Sequence, residues 1–213
     1  MGREIYNIIN DMAEVLNASQ MQRLQEVLVK RLSENAGYNK YSGDKVEILR
    51  DNCNNLRDRA LIDFLLSTGI RVGELVRLNI DDIDFSEREC VVYGKGDKER
   101  KAYFDAKTKI HLLNYIESRT DDNSALFVSL NKPHSRLTES GVELRLREMG
   151  KKLGVEKVHP HKFRRTMATR AIEKGMPIEQ VQKILGHEQI DTTLRYAMVN
   201  QNNVKLSHRK FIS

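Results

Sequence analysis

Apolar residues recur at helical spacing from the first turns of the chain onward. Two such runs, Ile5 to Leu16 and Met21 to Leu32, predict a helical hairpin at the start. The stretch "SENAGYNKYSGDK" that follows has two glycines and no period, which is typical of a linker. We therefore expect an N-terminal helical arm over residues 1–38 and a second domain over residues 39–213.

The same spacing returns throughout the second domain. Glycines close several of the runs, as expected for helix C-termini, and Asn or Asp residues precede others as caps. Helices are predicted from near Asp44, over 55–67, around Val72, after Asp105 with an apolar face of Ile110, Leu113 and Ile116, over 142–153, over 161–174, over 178–185 with Pro177 in the first position, and after Asp191.

Between residues 83 and 104 the period changes. The runs "IDF", "CVVY" and "KAYF" are short and β-prone, and "GKGDKE" between the last two is typical of a hairpin connection. A later run, "ALFVSL", is either a strand or a buried loop. The predicted fold class is α+β, a mostly helical domain with one small antiparallel three-stranded sheet.

The composition limits the cellular location and the kind of partner that we expect. The 213 residues contain no apolar run long enough to cross a membrane, and only Cys53 and Cys90 are present, in no ligand-like spacing. We expect a cytoplasmic protein with free thiols. The formal net charge of +6 favours a polyanionic partner, although a solvated lysine-rich surface is the alternative.

Six polar residues lie at the edges of the predicted elements and together suit phosphoryl chemistry. Guanidiniums can grip the non-bridging oxygens of a phosphate, a lysine can protonate a leaving oxygen, and a tyrosine can attack phosphorus. Taken singly, each has an ordinary structural explanation, such as a helix cap, a turn lysine or a core aromatic. The six are Arg71, Lys95, His161, Arg164, His187 and Tyr196.

The sequence around these positions resembles the tyrosine recombinase, or phage integrase, family. The matching stretches are "TGIRVGEL", "GKGDKER", "HKFRRTMAT", "LGHEQIDTT" and "LRYA", in family order. The frequent "RHT" of the family reads "RRT" here, with Arg165 in the middle. The resemblance extends over about residues 46 to 199 and implies the tyrosine-recombinase type of catalytic domain.

The resemblance also implies a role for each of the six. Tyr196 would attack the scissile phosphate of double-stranded DNA and form a 3′-phosphotyrosyl bond. Arg71 and Arg164 would hold the non-bridging oxygens, and His161 would assist proton transfer. The remaining two roles, a hydrogen bond to the phosphate and general acid toward the 5′-oxygen, fall to His187 and Lys95.

Two further groups of residues extend the predicted site. Glu74, three residues after Arg71, is a weaker candidate that would orient this arginine. Nearby basic residues are expected to contact the DNA backbone, which gives affinity without sequence information. They are Lys98, Arg100, Lys101, Lys162, Arg165 and Arg170.

The expected partners and alternatives follow from the same resemblance. The enzyme would need neither metal nor cofactor. A zinc site at His159, His161 and His187 is disfavoured, because no acidic or cysteine partner lies at ligand spacing. We expect a homotetramer on DNA, with the tail after Tyr196 docked between protomers. Compared with the family pattern, we expect that the usual core-binding domain is absent from this sequence. A regulator of a full-length recombinase and a type IB topoisomerase-like activity are the alternatives.

Overall fold

The computed structural model describes residues 48–94, residues 99–187 and Thr193. The predicted N-terminal hairpin, the linker, the tip of the β-hairpin and the C-terminal tail lie outside these residues, as does all of the predicted last helix except Thr193. The division into an arm and a second domain therefore stays a prediction. No helix in the described part of the chain is long and apolar enough to cross a membrane.

Six α-helices and three strands form the described part. The chain runs α1 (Leu56–Thr68), α2 (Val72–Arg77), a 3₁₀ turn (Ile80–Asp82), β1 (Ile83–Asp84), β2 (Glu89–Tyr93), β3 (Glu99–Tyr103), α3 (Ala106–Glu117), α4 (Glu139–Lys152), α5 (Pro160–Glu173) and α6 (Ile178–Leu185). Residues 48–51 are also helical. The mostly helical α+β prediction is confirmed.

The helix ends follow the capping residues of the sequence. Asn55 and Asp105 accept backbone N–H groups at the starts of α1 and α3. Gly69 and Gly186 take left-handed backbone angles, with φ of 61° at both, where a side chain would be strained. These two glycines reverse the chain at the ends of α1 and α6, so that the residues just after each helix turn back toward the interior.

The sheet is antiparallel with the order β1-β2-β3. Ile83 pairs with Cys90, and β2 pairs with β3 from Glu89–Tyr103 to Tyr93–Glu99. In β3 the outward residues are exposed, whereas Arg100 and Ala102 face the protein. All three predicted strands are therefore present, and the alternation in β3 turns one arginine inward.

The core lies around α1, which packs against α3 and α5. Phe64 is fully buried in its middle, with the rings of Phe104 and Phe127 at centroid distances of 5.8 and 6.2 Å. A second, smaller apolar cluster lies between α5 and α6 and centres on Val181 and Leu185. Helix α1 is thus the element against which the later helices are placed.

Two details differ from the sequence-based expectation, and the structure decides between the two alternatives left open for a third. The buried face of α3 is Thr108, Leu112 and Tyr115, and Ile110 is exposed. Two polar members of this face have buried partners, since the Tyr115 hydroxyl accepts the N–H of Val128 and the Thr108 hydroxyl donates to the carbonyl oxygen of Asp63. Pro177 is the N-cap of α6 rather than its first residue. The run "ALFVSL" is a buried loop with two isolated bridges, not a strand of the sheet.

A close approach fixes the segment that leads into α5. A Cβ on Gly150 would lie 2.4 Å from Val158 Cγ2 and 2.5 Å from the carbonyl oxygen of Val155, so only glycine fits there. The chain therefore passes tightly against α4 before His159 begins helix α5 as its N-cap. Pro160 occupies the first turn, where its missing N–H costs no hydrogen bond.

Candidate active site

Arg71 begins helix α2 and is tied to the buried carboxylate of Glu74. The backbone N–H of Arg71 donates to Glu74 Oε2 at 2.8 Å, and its Nη1 donates to Oε1 at 2.9 Å. The sequence expectation that Glu74 orients this arginine agrees with both contacts. The Arg71 side chain remains 39% exposed, so part of its guanidinium can reach a ligand.

Arg164 lies on α5 and is only 4% exposed. Its Nη1 donates to the carbonyl oxygen of Gly69 at 2.6 Å, and its Nη2 donates to that of Leu185. Both carbonyls belong to helix C-termini, where backbone oxygens lack partners within the helix and the helix dipole favours a cation. The side chain therefore joins the ends of α1 and α6 at one point.

Three arginines share the end of α6. The oxygens of Ile184, Leu185 and Gly186 are consecutive along the chain, and each accepts from a different guanidinium. In that order the donors are Arg100 at 2.9 Å, Arg164, and Arg71 at 3.3 Å. The negative end of the helix thus gathers the positive side chains immediately before His187.

A cavity of about 280 Å³ opens beside this cluster. Its walls include three of the predicted site residues, Arg71, His161 and Arg164. The wall also contains Arg77, Glu139 and Tyr93, which sequence reasoning did not select. Of the other predicted residues, Lys95, Lys98 and Tyr196 lie outside the described residues.

His187 follows the left-handed Gly186, and its ring is held from one side. Its Nδ1 lies 2.9 Å from the hydroxyl oxygen of Thr193, and its carbonyl oxygen accepts from Gln182. Thr193 is fully buried and helical. This contact fixes the imidazole orientation, so that its second nitrogen, Nε2, presents a defined edge.

The pKa of His187 is strongly lowered. Burial is the largest cause, followed by three neighbouring guanidiniums, and together they bring the pKa from 6.5 to about 4. Those guanidiniums belong to Arg164, Arg71 and Arg100. At neutral pH the imidazole is therefore uncharged and acts as a hydrogen-bonding group rather than as a cation.

Arg100 occupies a different position from the one expected. We predicted a surface contact with the DNA backbone, but its side chain is 12% exposed and its Nη2 donates to Glu74 Oε2 at 2.6 Å. The alternation of β3 carries the signal that was missed, because Arg100 shares a strand face with the buried Ala102. Its guanidinium belongs to the interior of the site.

The other predicted backbone contacts divide by exposure. Lys101 is exposed and pairs with Glu89 at 2.5 Å, and Arg165 and Arg170 are half-buried on α5. Lys162 is 8% exposed, which leaves little of it at the surface for DNA. Arg165 is one helical turn after the exposed His161, on the same face of α5.

The histidines form no metal site with their described neighbours. No group of three or more His, Cys, Asp or Glu side chains with metal-binding geometry occurs in residues 48–94, 99–187 or Thr193. The rings of His159 and His161 are edge-on with centroids 6.4 Å apart. The arrangement instead presents permanent cations to one cavity, which suits an oxyanion.

A titration of His187 tests this electrostatic arrangement. We expect an NMR midpoint near pH 4 in the folded protein and about 6.5 in urea, the ordinary value for an unfolded chain. Because the folded pKa is depressed, the stability contributed by this group is full above pH 6.5 and is lost as pH falls toward 4. A folded midpoint near 6.5 would contradict the burial of the ring among guanidiniums.

Comparison with known proteins places the chain. Residues 39–203 match the sequence profile of the phage integrase family. The tyrosine recombinase XerC of Staphylococcus aureus is 38% identical over 159 residues, which is 73% of this chain and 53% of that protein. The chain therefore spans about half the length of the curated relatives it matches.

Solved structures agree with the fold. The crystal structure of XerA recombinase has a TM-score of 0.69 and 35% identity, over 79% of this chain and 62% of that one. The structure of the Tn1549 transposon integrase in complex with transposon right end DNA has a TM-score of 0.65 and 21% identity, over 79% of this chain and 63% of that one. At this level of identity the similarity is one of fold only. The profile match over most of its length shows that the chain belongs to the phage integrase family of tyrosine recombinases.

Proposed function

We propose that the chain is a DNA strand transferase that breaks and rejoins DNA in site-specific recombination, as the integrase of a phage or mobile element. The observation that carries the proposal is the meeting of Arg71, His161 and Arg164 at one cavity of about 280 Å³, which has room for a phosphodiester group. Guanidiniums neutralise the non-bridging oxygens of a phosphodiester with permanent charge and bidentate geometry. We place the protein in the cytoplasm, on DNA.

In the first step the Tyr196 hydroxyl attacks the scissile phosphorus. A bond forms between the tyrosyl oxygen and phosphorus, and the bond from phosphorus to the 5′-oxygen breaks. His161 assists removal of the tyrosine proton, and Lys95 donates a proton to the departing 5′-oxygen. The product is a 3′-phosphotyrosyl DNA with a free 5′-hydroxyl.

In the second step a different 5′-hydroxyl attacks the phosphotyrosyl phosphorus. The phosphodiester re-forms and the tyrosine leaves with its proton restored, so the energy of the bond is conserved and no ATP is consumed. Arg71 and Arg164 hold the charge of the transition state in both directions. This chemistry requires neither metal nor cofactor, since cationic side chains perform the neutralisation.

Neutral His187 contributes a hydrogen bond to the phosphate. When the Thr193 hydroxyl donates to Nδ1, the single proton of the neutral imidazole lies on Nε2, which then becomes a donor. A donor of this kind adds to the grip of the arginines without adding charge. Glu74 supports the same grip by orienting Arg71.

Covalent trapping tests the proposal. Nicked suicide DNA made from the ends of the protein's own genetic element is mixed with the parent, with Tyr196→Phe and with Tyr103→Phe. We expect an SDS-resistant protein–DNA band for the parent and for Tyr103→Phe, because Tyr103 is an exposed strand residue. Tyr196→Phe lacks the nucleophilic oxygen and should give none.

If the parent protein gives no covalent band, a second sample tests whether the chemistry is still intact. The chain is fused to the core-binding domain of a relative, because it spans only about half the length of those relatives. A band from the fusion supports the chemistry. If the fusion stays silent on a site it demonstrably binds, the strand-transferase proposal is abandoned and a DNA-binding regulator takes its place.

We further propose that the exposed Lys101 and the half-buried Arg165 bind the DNA backbone. Arg165→Gln should weaken DNA binding uniformly across sequences and reduce the slope of log affinity against log salt by about one. Lys107→Gln on α3, an exposed site outside the proposed surface, is the charge-matched control. An unchanged salt slope for Arg165→Gln would remove this residue from the interface.

Finally, we propose that the protein works on DNA as a homotetramer whose C-terminal tail docks between protomers. The tail "NQNNVKLSHRKFIS" carries Val204, Leu206, Phe211 and Ile212, which can bury against a neighbour. Phe211→Glu should leave the DNA affinity unchanged but abolish the tetramer, as measured by analytical ultracentrifugation of the protein–DNA complex. If the parent protein forms no tetramer on DNA and relaxes supercoiled plasmid, the result would instead indicate topoisomerase-like activity.

A further inference from the structure

Arg100 connects three parts of the candidate site that are distant in sequence. Its Nη2 donates to Glu74 Oε2 at 2.6 Å, and its Nη1 donates to the carbonyl oxygen of Ile184 at 2.9 Å. It is carried by β3, directly after the hairpin tip that contains Lys95 in the sequence. One guanidinium therefore joins the hairpin, the start of α2 and the end of α6.

The contact with Glu74 affects Arg71 electrostatically. Glu74 is a buried carboxylate with a side chain only 3% exposed, and it accepts from both arginines. If Arg100 were absent, the whole negative charge would be compensated by Arg71 alone, and the attraction of Arg71 for a phosphate would fall. Arg100 thus keeps the pair of Arg71 and Glu74 from neutralising itself.

The contact with α6 affects His187 sterically. The side chain of Arg100 packs on Gly186, where an added Cβ would lie 2.7 Å from Arg100 Cδ and 2.8 Å from Nε. His187 is the next residue after this glycine. The packing and the Ile184 hydrogen bond together set where the chain turns, and therefore where the imidazole lies.

We propose that Arg100 is a positioning residue for the phosphate site, which acts through Glu74 and the C-terminus of α6 and not by contact with DNA. This inference rests on the proposed function for its catalytic consequence, but the geometry it concerns is present without DNA. The guanidinium is engaged by Glu74 and by the carbonyl oxygen of Ile184, so it is directed into the protein and not toward a DNA backbone.

The first test uses inorganic phosphate as the probe and needs no catalytic activity. Phosphate is titrated into the parent, Arg100→Gln, Arg100→Lys and Arg147→Gln, with the NMR signal of His187 as readout. Arg100→Gln should bind phosphate about tenfold more weakly, since a hydrogen bond to a charged group is lost from the network. Arg147 is exposed on α4, so Arg147→Gln should match the parent.

The conservative variant separates charge from geometry. Arg100→Lys keeps the positive charge, but a single ammonium cannot reproduce the fork that spans Glu74 and Ile184. Phosphate affinity should therefore lie between those of the parent and Arg100→Gln. The pKa of His187 should rise in Arg100→Gln, because one of the cations that lower it is removed.

The second test uses the suicide DNA at saturating concentration. Arg100→Gln should form the covalent product about tenfold more slowly at saturation, with the salt slope of DNA binding unchanged, because Arg100 acts on the phosphate grip and makes no contact with the DNA backbone. Arg100→Gln that binds phosphate like Arg147→Gln and keeps the His187 pKa would overturn the proposal. A silent parent would count against the strand-transferase function only, because the phosphate titration still decides the role of Arg100.

A double variant and thermal unfolding distinguish a loss of charge compensation from misfolding. If Arg100→Gln binds phosphate weakly because Glu74 is then compensated by Arg71 alone, Glu74→Gln added to it should recover part of the phosphate affinity, since both charges are then gone. A double variant that binds phosphate more weakly than Arg100→Gln would contradict charge compensation. Thermal unfolding of each variant shows which of them are folded at the temperature of the titration.

Discussion

The end of helix α6 is the point on which the site depends. Three consecutive carbonyl oxygens, of residues 184 to 186, each accept from a different arginine. Three guanidiniums this close repel one another, and the repulsion is offset by the negative end of the helix and by the Glu74 carboxylate. Because each arginine comes from a different element, one helix end brings together α2, β3 and α5.

The same contacts explain why the arginines have defined positions before any phosphate arrives. Arg164 reaches the ends of both α1 and α6, and Arg71 is held by Glu74 through both its backbone and its side chain. Long side chains lose rotamer freedom when they bind, and here much of that loss is incurred on folding. A preorganised set of donors stabilises a developing charge without rearranging, which is the property that transfer at phosphorus needs.

Much of this arrangement was predictable from local sequence signals. Capping residues such as Asn55 and Gly186 located the helix ends, and the change of period between 83 and 104 located the sheet. The partners of Arg71 and Arg164 across more than ninety residues were not predictable, because periodicity carries no information on distant contacts. Arg100 lies between these cases: its strand parity indicated an inward side chain, but a basic cluster around it favoured a surface.

The electrostatics of the site distinguish the side chains that carry charge from those that form only hydrogen bonds. Burial and the guanidiniums keep His187 neutral at neutral pH, so this residue can donate a hydrogen bond but cannot supply charge. In the proposed reaction the positive charge that meets the phosphate then comes from the arginines and from Lys95, and the buried Glu74 lowers the charge of the arginines at the same time as it fixes their geometry. Orientation by a carboxylate therefore has a cost in attraction for the phosphate. A second guanidinium on the same carboxylate, that of Arg100, offsets this cost and leaves the orientation in place.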